Sequence, residues 1–410
     1  MPRSGARSFV GVAALAAAGL GLSASPAIGV VGGSTASIPE HNGLVALIDP
    51  SAPNARLGQF CGGTLIRKDW VLTAAHCAWD PASSSPTPPG SINVVASQDD
   101  LDLTTPDQVY PVDQVHIYPL YALGNSGGRK VKSVYADLAL LHLARPVPPY
   151  SIFPIGTPRG DQERQDYPTA GVVGLSNRVH GNATASEYGG SVYGWGAVNA
   201  KGTVNVPRAQ IGRTTLYGRN LCGAYTRVSG VFCATKPGSR EASACFGDSG
   251  GPLTVYDKNG DIRVAGIVSF RKQSDCYRGD PTAYTDVGYF KTWIGHTSRA
   301  KDSAISQPAI VKLRAKDLGS KIKLTAETCQ TAAEGHKTRV DFFLFQGSVS
   351  KKKNRRRVTV IGRPGSLCKT WTKTTRDNLG SGKWFMSAKV IDKKTGMTGE
   401  IDWAVRVSGK

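Results

Sequence analysis

The sequence predicts an all-β chain built in two unequal parts. Three observations carry this. Short apolar runs such as Leu44–Ile48 and Gly266–Phe270 are set apart by clusters of Gly, Pro, Ser and Asn, the punctuation of a multi-stranded fold. Near residue 300 this composition gives way to a strongly basic one. About seven candidate strands then follow in the last hundred or so residues, enough for a small β-sandwich of immunoglobulin-like shape. The 410 residues, 40% hydrophobic and 20% charged, have the length of two or three domains and the composition of a folded soluble protein.

Residues 1–29 read as a secretory signal peptide. Arg3 and Arg7 give a basic start, Phe9 to Leu22 is apolar and rich in Ala and Gly, and small residues follow. That run is too short for a membrane span, and no later segment has 18 consecutive apolar residues. Cleavage is expected after Gly29, with Ala27 as the other candidate. The mature chain is therefore expected outside the cell, where eight cysteines read as four disulfides. No Cys-x-x-Cys pair or His/Cys group at zinc spacing occurs, so neither a metal nor a cofactor is expected.

Residues 30–299 make up the first domain. Within it, Pro81–Gly90 is rich in Pro and Ser, and Ser176–Gly190 in Gly, Asn and Ser. Both read as surface loops. Residues 300–308 lack periodicity and read as a linker. In the second domain, 309–410, the clearest strands are Thr338–Gln346, Trp384–Asp392 and Ile401–Val407. In the last, Ile401, Trp403, Val405 and Val407 alternate with Asp402, Ala404 and Arg406, the period of a half-buried strand.

Charge is concentrated in this second part. Residues 301–410 carry 24 Lys and Arg against 9 Asp and Glu, which supplies +15 of the whole chain's +20. Lys351, Lys352, Lys353, Arg355, Arg356 and Arg357 crowd into one stretch between two apparent strands, which reads as an exposed hairpin loop. Such a loop either grips a polyanion or only aids solubility. The candidate partners are an anionic cell-wall polymer, an acidic glycan or a membrane surface. Nucleic acid ranks low, because no aromatic stacking platform accompanies the charges.

Residues 244–252 read Ala-Cys-Phe-Gly-Asp-Ser-Gly-Gly-Pro, a serine in a tight, exposed turn whose small neighbours let a carbonyl approach the backbone. A serine hydroxyl is a weak nucleophile. It needs a base within hydrogen-bond reach, and the base needs a partner that holds its tautomer. Both types stand upstream, His76 in Thr73-Ala74-Ala75-His76-Cys77 and Asp137 in Asp137-Leu138-Ala139-Leu140-Leu141. These three motifs, in the order His, Asp, Ser, resemble the trypsin-like serine proteases of the chymotrypsin fold. The resemblance spans about residues 30–299 and does not extend to the second domain.

The resemblance implies a fold of two β-barrels closed by a short helix at Asp286–Ile294, with Phe290, Trp293 and Ile294 as its contacts. It implies that Ser249 attacks, that His76 takes and returns the proton, and that Asp137 orients His76. The backbone N–H groups of Gly247 and Ser249 would form the oxyanion hole. Val30-Val31-Gly32-Gly33 is similar to the family's mature N-terminus, whose freed amine pairs with the residue before the nucleophile, here Asp248. The other reading makes Asp248 a turn residue. Three disulfides are implied, Cys61–Cys77, Cys222–Cys233 and Cys245–Cys276, which leaves Cys329 and Cys368 for each other. Ser243 would stand at the base of the primary specificity pocket, with Ser269, Phe270, Arg271 and Thr282 in its walls. Ser243 cannot select Lys or Arg by charge. Arg271 either narrows the pocket, swings out to solvent, or attracts an acidic side chain. The expectation is a secreted serine endopeptidase that acts on protein or peptide substrates through an acyl-enzyme. Its expected preference is for apolar or small residues, then acidic ones, over Lys and Arg. The alternative is a binding or adhesion protein on a non-proteolytic protease scaffold.

Overall fold

The computed structural model describes residues 30–36, 43–121, 136–148, 188–217, 230–256, 262–271, 275–300, 308–319, 321–330, 335–347, 352–365, 368–375, 379, 382–400 and 405–407. A two-residue strand β1 (Ser34–Thr35) precedes the first barrel. That barrel comprises β2 (Leu44–Ile48), β3 (Gln59–Arg67), β4 (Trp70–Thr73), β7 (Asn93–Ala96), β8 (Val109–Ile117) and β9 (Ala139–Leu143). They close in the order β2-β3-β4-β9-β8-β7. Every residue of β2 and β9 is buried, because these strands line the barrel with one face and are covered on the other. β5 (Trp79–Asp80) and β6 (Ser85–Pro86) form a small hairpin at the start of the expected 81–90 loop.

The second barrel comprises β10 (Tyr188–Gly194), β11 (Gln210–Tyr217), β12 (Val231–Ala234), β13 (Pro252–Tyr256), β14 (Ile262–Arg271) and β15 (Thr282–Asp286). It runs β11-β10-β13-β14-β15-β12 and closes through β11–β12, with β1 added beside β11. One expected loop is corrected here. Tyr188–Gly190 belongs to β10, where Gly190 pairs with Thr214, so only residues before 188 remain of the proposed 176–190 loop, and these lie outside the described residues.

The closing helix runs Val287–Ala300, longer than the expected Asp286–Ile294. Phe290, Trp293 and Ile294 are buried as expected, and Tyr118 meets the rings of Phe290 and Trp293 at 5.0 and 5.1 Å. The helix takes in Ala300, so the linker begins later than expected; residues 301–307 lie outside the described residues.

Among its described residues the second domain has eight strands, where about seven were expected. One sheet is β16 (Ala309–Asp317), β17 (Ile322–Cys329) and β20 (Cys368–Thr375), in the order β16-β17-β20. The other contains β18 (Thr338–Gly347), β19 (Lys352–Gly362), β21 (Trp384–Asp392), β22 (Thr398–Glu400) and β23 (Val405–Arg406). It is ordered β19-β18-β21-β22, with β23 also on β21. Leu313, Leu324 and Trp371 of the first sheet share one buried cluster with Phe342, Met386 and Val390 of the second, so the sheets form a sandwich. Of the expected strand Ile401–Val407, Val405 and Arg406 are paired, and 401–404 lie outside the described residues.

The basic stretch is not a hairpin loop. Lys352–Arg357 lies within β19, where Lys353 pairs with Gln346 and Arg356 with Leu344; Lys351 lies outside the described residues. The pairing shifts between Leu344 and Gln346, and Asn354 there has φ +49°. β19 is an edge strand on which Arg355, Arg356 and Arg357 are exposed, so these charges need no loop to stay solvated.

Disulfides join Cys61 to Cys77, Cys245 to Cys276 and Cys329 to Cys368. Cys233 is also disulfide-bonded, and Cys222 lies outside the described residues. Cys329 and Cys368 stand directly opposite across β17 and β20. Both pack, with Ala309, on the buried cluster that runs from the first barrel into the closing helix.

Candidate active site

His76 sits in a 3-10 turn, Ala75–Ala78, directly after β4, and its neighbour Cys77 ties that turn to β3. Asp137 lies just ahead of β9. The β4–β9 register pairs Thr73 with Ala139 and so brings the ends carrying His76 and Asp137 together. One Asp137 oxygen is 2.8 Å from His76 Nδ1, and the other accepts the His76 backbone N–H at 2.9 Å. Ser269 donates its hydroxyl to the same carboxylate, and Thr285 donates to the Asp137 carbonyl at 2.8 Å. Burial alone would raise the Asp137 carboxyl, but His76 and Ser269 outweigh it and hold the group below its usual range. Burial alone would lower His76, and the Asp137 charge more than offsets this, so the imidazole is raised.

The Ser249 turn is pressed against the same place. Gly62 donates its N–H to the Ser249 carbonyl at 2.7 Å. Gly250 has φ +79°, and a Cβ there would lie 2.2 Å from Thr73 Oγ1 and 2.5 Å from the Gly62 carbonyl. Only glycine fits that conformation and that approach. Ser249 is thus carried on a loop seated against the residues that lead into His76. Gly247, with φ +92°, lies beside Gly196 and accepts from Gln59 Nε2 at 2.8 Å. The amides of Asp248, Gly250 and Gly251 bond to internal carbonyls, while those of Gly247 and Ser249 carry no bond among the described residues.

Asp248 is fully buried and accepts the N–H groups of Gly196 at 2.9 Å and Cys245 at 2.8 Å. Burial dominates and pushes its carboxyl up to about 7. Val30 is also fully buried, among Val192, Ala242 and Gly212, and Val31 bridges to Ser243. The segment that would supply the amine therefore already lies inside the second barrel.

The expected pocket residues divide. Ser243 is buried, and its hydroxyl donates to the Asp280 carbonyl at 3.1 Å. Ser269 turns its hydroxyl to Asp137, a role beyond its expected place in the pocket wall. Phe270 packs on Val231, Cys233 and Ala283. Arg271 is half-buried; its guanidinium reaches the Ala244 carbonyl at 3.4 Å and the Asp275 carbonyl at 2.6 Å, 5.8 Å from the Phe246 ring. Burial lowers its pKa, and Asp280, Asp248 and Asp275 partly offset that. Thr282 and Tyr284 are fully buried.

Gln59 is the residue that sequence reasoning missed. Its signal was a polar amide at the start of a mostly buried strand, two residues before Cys61. Cys61, His76 and Cys77 also form a grouping of metal-ligand types, but both sulfurs are held in a disulfide and are not thiolate donors.

Two six-stranded barrels with this cluster between them define a class. The trypsin family model matches residues 30–294, and the chain belongs to the trypsin family of serine proteases. It is a serine endopeptidase. Among its relatives, CLIP domain-containing serine protease B4 of Anopheles gambiae is 31% identical over 280 residues, 65% of this chain and 69% of that protein. Trypsin of Phaedon cochleariae is 29% identical over 275 residues, 66% of this chain and 88% of its own. Chymotrypsin-like elastase family member 1 of Felis catus is 30% identical over 243 residues, 58% of this chain and 77% of its own.

Proposed function

We propose that the chain is a secreted endopeptidase in which His76, Asp137 and Ser249 form the catalytic triad. The observation that carries this is the 2.8 Å contact of His76 Nδ1 with a buried carboxylate, beside a serine loop docked on Thr73. Asp137 keeps the Nδ1 proton, which leaves Nε2 free to take the Ser249 proton as the hydroxyl attacks the scissile carbonyl. The negative charge that develops falls to the N–H groups of Gly247 and Ser249. The imidazolium then gives its proton to the leaving amine, and water repeats the cycle on the acyl-enzyme. Cutting after Gly29 frees the Val30 amine, which pairs with Asp248. Three disulfides and a seventh bonded cysteine, Cys233, support an extracellular site of action. No helix among the described residues is long and apolar enough to cross a membrane.

Small apolar residues are the preferred side chains before the scissile bond. Arg271 supports this, since its guanidinium crosses from one segment beside Ser243 to another, and a cation there opposes Lys and Arg. The domain from 309 to 410 holds the protease on an anionic surface. The test of the catalytic assignment is Ser249→Ala in the mature protein. It should fold and lose nearly all peptide hydrolysis. His76→Ala should cost as much, and the double variant little more, because the triad acts as a unit. Full activity in Ser249→Ala, or additive losses, would overturn the reading.

A further inference from the structure

The register of the second domain lines up another basic surface, separate from β19. On β16, Lys312, Arg314 and Lys316 are exposed, while Leu313 and Ala315 between them are buried. On β17, Lys323, Thr325 and Glu327 lie on the outer face, and Ile322, Leu324 and Ala326 are buried. Thr370, Thr372 and Thr374 of β20 are exposed. Strand pairing sets these in three rows: Lys316–Lys323–Thr374, Arg314–Thr325–Thr372 and Lys312–Glu327–Thr370. With about 6.8 Å between alternate residues and about 4.8 Å between strands, the patch measures about 14 by 10 Å.

The charges of β19 have an explanation in folding, because Lys and Arg on an edge strand deter pairing with another chain. In the sheet β16–β17–β20 that explanation reaches the cations of the edge strand β16 but not Lys323. Lys323 lies on the central strand, paired on both sides. Lys316 and Lys323 stand directly opposite each other, an arrangement that like charges disfavour. Among the described residues, none of the four cations forms an ion pair. A bound anionic group between Lys316 and Lys323 removes that repulsion.

We propose that this face binds a linear anionic polysaccharide. The proposal rests on the reading of the second domain as a binder of anionic surfaces, and places the contact on β16, β17 and β20. The cations take the acidic groups, and the rows of threonine hydroxyls take sugar hydroxyls as donors and acceptors. Among the described residues, the three rows present no aromatic ring for base stacking and no large apolar side chain; the exposed Leu318 lies just beyond the end of β16. Trp371, the ring on β20, points inward and donates to Thr328 Oγ1 at 2.7 Å.

The test uses the full-length mature protein carrying Ser249→Ala, with heparin and polygalacturonate as probes. Neutral dextran, oligothymidylate and phosphatidylserine vesicles are the comparisons. Both acidic polysaccharides should bind at low salt and release at high salt. Arg314→Ser/Lys316→Ser/Lys323→Ser should weaken binding about tenfold or more and flatten its salt dependence. Arg355→Ser/Arg356→Ser/Arg357→Ser should change it by less than about threefold, because the edge charges are not the contact. The single change Lys323→Thr continues the threonine rows and should cost about threefold, which keeps the test decisive if the triple variant misfolds. Loss of binding in the β19 variant alone would overturn this proposal and leave the broader reading standing. Stronger binding to oligothymidylate or vesicles than to heparin would overturn the choice of partner. No binding to any anionic probe would overturn both readings.

Discussion

Joining Val30 to Gly29, or freeing it, should change how Asp248 responds to pH. In the full chain Asp248 is buried in a slot lined by the amides of Gly196 and Cys245, and burial raises its carboxyl from 3.8 to about 7. The folded loop therefore holds a proton between pH 3.8 and about 7 that the unfolded chain has already lost. A raised carboxyl contributes stability in full below the unfolded value, loses it as pH climbs to the folded value, and is flat above. About three pH units at 1.36 kcal/mol each give a loss on the order of 4 kcal/mol, roughly a thousandfold in the loop-opening equilibrium. A free Val30 amine offsets this by pairing with the charged carboxylate. The perturbation is a chain whose cut site after Gly29 is blocked, compared with the mature form. The assay is hydrogen exchange of segments 192–198 and 243–251, corrected for intrinsic rates, from pH 4 to 8. The blocked chain should lose protection steadily up to about pH 7, while the mature form keeps it; Asp248→Asn should remove the difference. Equal pH dependence in both forms would refute the pairing of Val30 with Asp248.

Other changes read out the rest of the site. Gln59→Ala removes the donor to the Gly247 carbonyl and should cost about 1–2 kcal/mol, seen as a fall in kcat with KM little changed. Ser269→Ala takes one donor from the buried Asp137 carboxylate and should lower kcat/KM by about 1.5–3 kcal/mol, measured with a small peptide substrate. Arg271→Gly should open the pocket, so a peptide library shifts from small side chains towards large aromatic ones by about tenfold or more in kcat/KM. His336 and Asp392 form a buried pair at 2.7 Å in the second domain, so His336→Leu should destabilise that domain by about 3 kcal/mol by calorimetry.

Much of this protein was legible before its shape was known. The motifs around His76, Asp137 and Ser249 are local, and local motifs name the chemistry wherever the chain carries them. β2, β14, β18 and β21 follow from apolar runs that propensity and period alone define. The tertiary structure decided what depends on distant partners. Residues 351–357 look like a loop in sequence because six charges in seven residues have no buried face; 352–357 form a strand because β18 offers backbone partners and Arg355, Arg356 and Arg357 stay exposed. Ser269 is expected from sequence only as part of a pocket wall, and the fold also brings its hydroxyl to Asp137. Gln59 carries no motif, and its role rests on one amide meeting the Gly247 carbonyl, 188 positions away in the chain. The rows on β16, β17 and β20 exist only through register. Sequence determines which groups a chain owns and their local conformation; which of them meet is set by burial and pairing across the whole fold.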